Sequence, residues 1–534
     1  MAASTSRQNN DTANSSDSES DISEDSDYDL SGDESDNLDE DNDHLNPSWS
    51  PFTQGLRRIP FTAENRFKVP VPGNNKPIDW FTLVLDDIFL ENIVRESNIY
   101  AFEVYGKPNL GEHSRINKWQ DLTVPELKVF IGLLLHMGTI RLNRYQDYWK
   151  TSRLFDIKCF RDQMSRDRFL LILRCLHFSR NVEGEGKDDR LKKISMLVSY
   201  FNQKMDDLYY PCRELSLDEG MVLWRGRLLF RQYIKGKRHK YGVKLYSLCE
   251  PQGLVIRFAV YSGGEGELGG KGHASKVVMH LMRGKLGVGH SLYMDNYYNS
   301  VALASKLLAN KTYCTGTLRL DRKHVPADVK TAKLQVGETI QRYAEGVMVA
   351  KWRDKRIVSY LSTEHENNIV QISNRRNVQR EKPMAIVQYN ANMKGVDRSD
   401  QMLAYYPSDH KCVRWYKKIF IHLLQMIMVN AHKLYNVAND TNTMQLYDFR
   451  LQVIDALLPP KQQAPPVRPP RNPLHVLSKT TALDKKGRLL GKRCRQCLKE
   501  GRRKETVYMC AQCPGEPPLC ALGCYDKYHA QLQE

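Results

Sequence analysis

Between residues 80 and 210 the apolar positions recur every three to four residues, the spacing that gives a helix one buried face. The stretch from Trp80 to Tyr100 follows it. Thr123-Val-Pro-Glu126 offers a hydroxyl for an orphan amide and a carboxylate three residues on, predicting a capping box before the apolar run Val129 to Met137. Ser165 heads another helix, on which Phe169, Ile172, Leu173 and Leu176 share a face. The texture changes near residue 213. Leu215 to Trp224 is strand-like, broken by the acid pair Asp218-Glu219; Lys240 to Cys249 alternates; Leu254 to Tyr261 is a third such run. A Gly-rich turn at 262–272 follows, then a helix from Ser275 to Met282 and a strand from His290 that ends in Asp295. A helix at Val301 to Leu308 and a strand at Lys311 to Leu318 complete the series.

Three strands joined by short turns, then alternating helix and strand, is the element order of an RNase-H-like α/β layer, an order other mixed-sheet folds share. Residues 319–385 are charged, with strand-like runs at Met348 to Trp352 and Ile357 to Leu361, and read as an insertion. From Met393 to about Asn436 the pattern is helical again, with a strongly apolar centre at Ile419 to Val429. A Pro-rich linker at 459–473 ends the body.

Charge changes the picture. The 534 residues carry a formal +17, but residues 1–45 hold fifteen acids against one basic residue, Arg7, so the rest carries +31. A body that basic points to a polyanion, because Lys and Arg on phosphates release condensed counterions. The acidic, Ser-rich and then Pro-rich residues 1–75 are expected to be disordered, with Ser16-Asp-Ser-Glu-Ser20 a target for an acidic-residue-directed kinase or simply a solubilising tail. No apolar run reaches the roughly 18 residues that would span a bilayer, so no membrane partner is expected.

Asp218 lies inside a strand-like run and Asp295 ends one, and a carboxylate on a buried strand is costly unless a cation or hydrogen bonds neutralise it. Asp397 and Asp400 stand at i, i+3, on one face of a helical turn. Three such carboxylates converging would hold two divalent ions suited to phosphoryl transfer, with Mg²⁺ or Mn²⁺ as the hard cation. Spacing alone leaves other uses open: Asp397 as a helix N-cap, Asp400 as an ion-pair partner of Arg398 or Lys394. Between the first two acids, Phe230 to Tyr241 is a basic hairpin with interleaved aromatics; Lys235, Lys237, Arg238, Lys240 and Lys244 are its candidate DNA contacts, against the alternative of a solvated turn.

Ser216-Leu-Asp218-Glu219, Tyr293-Met-Asp295-Asn-Tyr-Tyr298 and Lys394-Gly-Val-Asp397-Arg-Ser-Asp400-Gln401 resemble, in order and separation, the three acidic motifs of piggyBac transposases. Trp352-Arg-Asp-Lys-Arg356, Lys411-Cys-Val-Arg-Trp-Tyr-Lys417 and Val429-Asn-Ala431 are similar to further family strings. The resemblance implies a fold: an α/β RNase-H-like catalytic core with an inserted domain, wrapped by a discontinuous, mainly helical DNA-binding and dimerisation domain, plus a small C-terminal zinc-binding cysteine-rich domain. The boundaries expected are a tail at 1–75, helical domain at 76–212 and 408–458, core at 213–320 and 386–407, insertion at 321–385, linker at 459–489 and cysteine-rich domain at 490–534. It also implies Asp218, Asp295 and Asp397 as metal ligands with Asp400 accessory, a homodimer, and double-stranded DNA as partner. The implied activity nicks DNA at the transposon's terminal inverted repeats, passes through a hairpin, and joins the freed ends to a TTAA target.

Of the twelve cysteines, six are scattered (Cys159, Cys175, Cys212, Cys249, Cys314, Cys412) and six crowd into 494–524, which reads as intracellular thiols plus a metal module. Cys494, Cys497, Cys510, Cys513, Cys520, Cys524 and His529 are seven zinc ligands in a stretch too short to build a core without metal. Seven do not fill two tetrahedral sites: either one zinc takes a subset, or two bind crosswise with an eighth ligand such as Asp526, His475 or water. The module resembles the cysteine-rich finger that ends piggyBac-type transposases. The basic run Lys485 to Arg493 fits phosphate binding and nuclear import. Two other readings stand beside the active transposase. One is a domesticated, catalytically silent, sequence-specific DNA-binding protein; the other is a scaffold whose cysteine module is a RING- or PHD-like protein-interaction domain.

Overall fold

The computed structural model describes residues 46–531 except 54, 107–113, 182–188, 236, 238, 374–376, 378, 409, 412–413 and 461–474. The acidic tail with its Ser16–Ser20 motif, and Arg238, lie outside the described residues. The chain divides after Pro459 into two units.

The first unit opens with helices at Pro77–Val84 (α1), Asp87–Tyr105 (α2), Val124–Thr139 (α3), Arg166–Cys175 (α4) and Ser195–Leu208 (α5). The caps act as the sequence requires: Thr123 accepts from the Glu126 amide and Ser165 from the Arg168 amide. The Glu126 carboxylate does not reach back to complete a capping box. The Arg168 guanidinium takes it in two hydrogen bonds of 2.7 and 2.5 Å, locking α3 to α4.

The sheet follows. Glu214–Leu223 (β1), Tyr241–Cys249 (β2) and Val255–Val260 (β3) form an antiparallel meander. His273–Leu281 (α6) leads to Ser291–Met294 (β4), which runs parallel to β1 on its other side; Val301–Ala309 (α7) then leads to Tyr313–Thr317 (β5), parallel to β4. The order β3-β2-β1-β4-β5, antiparallel then parallel, is the RNase-H-like arrangement the element order suggested.

Part of the expected insertion joins the core sheet, while Ile369–Ser373 and Gln379–Pro383 pair as a separate two-stranded sheet. Thr339–Ala344 (β6), Val347–Arg353 (β7) and Ile357–Ser362 (β8) extend the same sheet, β8 pairing with β5. Two physical features make this possible. β5 is an edge whose backbone groups need partners, and β7 carries Met348, Ala350 and Trp352 on one face and Val347 and Val349 on the other, all buried. Residues 46–75, expected to be unstructured, also belong to the body: Trp49 donates to the His324 carbonyl, Ser50 bridges Tyr343, and Arg66–Phe67 pairs with Tyr209–Tyr210. Aromatic anchors such as Trp49 and Phe67 outweigh the polar composition around them.

Met384–Asn392 (α8) and Gly395–Tyr405 (α9) pack on the sheet, and Trp415–Ala438 (α10) and Leu446–Leu457 (α11) close the unit. The helical pattern predicted from 393 is thus not one helix: α9 ends at Tyr405 and α10 starts at Trp415. α10 and α11 pack against α1 and α3, so the helical layer is assembled from two stretches of chain. Buried Asn430 of α10 caps the sheet edge, accepting from the Val255 amide (3.1 Å) and donating to its carbonyl (2.7 Å). Among the described residues no helix is long and apolar enough to cross a membrane.

Candidate active site and metal centres

Buried Leu215 and Leu217 anchor β1 in the core, which brings Asp218 to mid-strand. β1 and β4 run in parallel with Leu217 opposite Met294, so the next residues are Asp218, still within β1, and Asp295, immediately past the end of β4. The other two acids arrive on α9. Its first residue, Gly395, meets β1 so closely that a Cβ would overlap Ser216 Oγ and the Glu250 carbonyl. On the same helix Asp400 leans over Gly220, where an added Cβ would sit 3.5 Å from its Oδ1. Lys394 is the residue before the helix, so Asp397 lies within the first turn and is not the N-cap; Arg398 donates to the Pro251 carbonyl, not to Asp400.

Each strand acid is held by a neighbouring amide. The Glu219 N–H donates to Asp218 Oδ1 (2.7 Å) and the Tyr297 N–H to Asp295 Oδ1 (3.0 Å). Burial pushes Asp218 well above the usual carboxylate range, opposed by Lys237 and reinforced by Glu219, Asp295 and Asp397. Burial, then the Glu219 charge, raises Asp295 to about 7, and burial with Asp397 nearby raises Asp400 to about 6. Carboxylates that resist ionisation for these reasons gain from a cation. An ammonium already plays that part: Lys237 Nζ lies 3.7 Å from Asp218 Oδ2. Carboxylate oxygens are the donors hard divalent ions prefer, but among the described residues only the cysteine–histidine groups of the second unit bring three or more ligand atoms within 4.8 Å of one another.

The basic hairpin divides. Lys235 and Lys240 are exposed, beside the part-exposed, tilted pair Tyr233 and Tyr241. Lys237 turns toward the acids. Lys244 is a correction to the expectation of a DNA contact: it is 3% exposed, its ammonium 4.6 Å from the Tyr297 ring centre and 5.0 Å from that of Tyr246. It stands on β2 opposite Met221, facing the interior. Glu219 and Tyr298 went unassigned in the sequence reading although both lie in the quoted acidic motifs; the Tyr298 hydroxyl donates to Glu219 Oε2 (2.9 Å).

In the second unit the described residues resume at His475, inside the expected linker, and Leu477–Lys479 pairs with Tyr508–Cys510. It holds two ligand groups, Cys494, Cys497, Cys520, Cys524 and His475, Cys510, Cys513, His529, each with four ligand atoms within 4.8 Å of one another. The groups alternate along the chain, which is the crosswise option with His475 as eighth ligand; Asp526 is exposed instead. Cys497 Sγ lies 3.5 Å from Cys524 Sγ and 3.9 Å from Cys520 Sγ. Tetrahedral Zn–S bonds of about 2.3 Å require about 3.8 Å between sulfurs, so the spacing suits zinc. Cys513 Sγ is 3.2 Å from both His475 Nδ1 and His529 Nε2, again a zinc-like span. The run Lys485 to Arg493 is solvent-facing.

An RNase-H-like sheet thus carries Asp218 within one strand and Asp295 just past its parallel neighbour, with a helix across them, in a chain that also holds a crosswise cysteine–histidine unit. The chain belongs to the piggyBac family: residues 76–432 match the Transposase IS4 family and residues 476–530 match the DDE_Tnp_1-like zinc finger. It is 27% identical over 395 residues to the human PiggyBac transposable element-derived protein 3, covering 71% of this chain and 64% of that protein. It is 26% identical over 393 residues to the human PiggyBac transposable element-derived protein 2, covering 70% and 64%. The chain thus spans 64% of the length of these relatives. Its fold is similar to that of a piggyBac transposase solved in a synaptic complex with hairpin DNA, at a TM-score of 0.64 and 20% identity, covering 86% of this chain and 98% of that one.

Proposed function

We propose that this protein is an active cut-and-paste transposase that cleaves the terminal inverted repeats of its element and inserts at TTAA. The observation that carries this reading is the grouping of Asp218, within one strand, and Asp295, just past its parallel neighbour, with Asp397 and Asp400 on a helix docked through Gly395. Asp218, Asp295 and Asp397 would hold Mg²⁺ or Mn²⁺, which supplies positive charge where charge develops on the phosphate and its entering and leaving oxygens. Lys237 would orient the scissile phosphate once it leaves Asp218. Exposed Lys235 and Lys240, with Tyr233 and Tyr241, would hold the flanking strand by phosphate contact and base stacking.

In the proposed sequence, water displaces one strand's 3′-oxygen at the element end. That 3′-hydroxyl then attacks the opposite strand to close a hairpin, the hairpin is hydrolysed, and the 3′-hydroxyls attack staggered target phosphates. Every step exchanges one P–O bond for another. The cysteine–histidine unit would bind two zinc ions and, with its basic run, grip the repeats and direct nuclear import. The protein would work as a homodimer, one protomer for each element end, and its acidic tail would be phosphorylated by an acidic-residue-directed kinase.

The reading is tested in cells carrying the element's own ends on a donor plasmid. Expected are excision and new insertions at TTAA, both abolished by Asp218→Ala, Asp295→Ala or Asp397→Ala. Binding of the ends with no excision by the unaltered protein would overturn it in favour of a silent DNA-binding protein.

A further inference from the structure

Two amides hold the strand acids, and the residues around those amides are themselves tied together. Glu219 gives its N–H to Asp218; the segment after Asp295 gives the Tyr297 N–H to Asp295. The next side chain, Tyr298, donates its hydroxyl to Glu219 Oε2 at 2.9 Å. One hydrogen bond therefore spans from the peptide that grips Asp218 to the peptide that grips Asp295.

The bond sits in a closed interior. Tyr298 is 1% exposed, Glu219 7% and Lys244 3%. A buried carboxylate needs compensation, and Lys244 supplies a buried ammonium on β2, itself held between the rings of Tyr246 and Tyr297. Tyr297 thus contributes both the amide for Asp295 and a face for the ammonium. None of the three side chains is placed to meet solvent or a DNA backbone.

We infer that the Glu219–Tyr298 hydrogen bond, backed by Lys244, is the positioning device that fixes the separation of Asp218 and Asp295. The inference rests on the proposed metal-binding role of those acids. Its physical content is that groups behind metal ligands set their orientation, and their loss typically weakens metal binding about 10- to 100-fold. Glu219 and Tyr298 are positioning residues here, acting through the amides and not on the ion.

The test is Mn²⁺ binding to the full-length, zinc-loaded protein, followed by electron paramagnetic resonance of free Mn²⁺ with thermal unfolding in parallel. Tyr298→Phe should weaken binding roughly tenfold. Tyr360→Phe is the matched control: it removes an equally buried hydroxyl of the same sheet, bonded to Asn367, far in sequence from any of the acids. It should cost similar stability and leave Mn²⁺ affinity unchanged. Glu219→Gln keeps an oxygen for the Tyr298 hydroxyl and should weaken binding no more than Tyr298→Phe does.

If Tyr298→Phe binds Mn²⁺ as the unaltered protein does, the positioning role is wrong. If Glu219→Gln abolishes binding while Tyr298→Phe retains it, Glu219 is itself a ligand and the inference is equally overturned. Failure of the underlying reading looks different: the unaltered protein and Asp295→Ala would then bind Mn²⁺ alike.

Discussion

Lys237 sets its ammonium 3.7 Å from Asp218 Oδ2, so one side chain of the basic hairpin reaches into the acid site. It offsets charge where a divalent ion would bind, and it belongs to the segment best placed to meet DNA. Those two roles pull in opposite directions. Lys237→Met should bind Mn²⁺ more tightly, by roughly three- to tenfold, because a like charge is removed. It should nevertheless cleave end DNA more slowly, because a phosphate contact is lost. Titration calorimetry and a cleavage time course on the same preparation check both signs.

The acids make the protein sensitive to pH. Asp295 is raised from 3.8 to about 7 and Asp400 to about 6, so between about pH 4 and pH 7 the folded form holds protons that the unfolded chain releases. Their contribution to stability is therefore complete below pH 4 and lost as pH rises through 7, on the order of a few kcal/mol in all. Without added divalent ion, Asp295→Asn should flatten that part of the decline in Tm between pH 5 and pH 8. Added Mg²⁺ should raise the Tm of the unaltered protein more at pH 8 than at pH 5, since metal competes with protons.

Gly395 sets the helix of Asp397 tightly against Ser216 on the strand of Asp218. Gly395→Ala forces α9 away from Ser216 and Glu250 and should cost about 1–3 kcal/mol of stability. Displacing two acids by about 1 Å should also lower the cleavage rate by up to about 100-fold. Chemical denaturation and single-turnover cleavage measure the two effects separately.

Much of this was legible in the chain. The strands of Asp218 and Asp295 were marked by apolar runs with an acid inside or at the end, a pattern that burial makes expensive and hence informative. The helices capped by Thr123 and Ser165 were marked by the chemistry of their first turns. What escaped was set by contacts distant in sequence. Glu126 looked like a capping partner until Arg168, 42 residues on, claimed it. Lys244 looked like its basic neighbours, but β2 is paired on both edges and buried on both faces, which puts Lys244 inside, under Tyr297. The β6–β8 strands carried no sign of which sheet edge they would join. His475 was visible only as one option because a single histidine in a linker has no spacing to its ligand partners.

The crosswise pairing gives a stoichiometric expectation. Native mass spectrometry should find two zinc ions on residues 475–531 of the full chain, and one after His475→Ala or Cys497→Ser. Chelation should unfold this unit, since so short a stretch depends on its metal for a core. A count unchanged by His475→Ala would mean the eighth ligand lies elsewhere.

The most direct measurement is strand cleavage by the purified protein of a labelled duplex carrying the element's own terminus. Mg²⁺ or Mn²⁺ should produce a nick and then a hairpin, and Asp295→Ala should produce neither while binding the duplex as tightly. Tight binding with no cleavage by the unaltered protein in either metal would contradict the assignment of Asp218, Asp295 and Asp397 as a working active site.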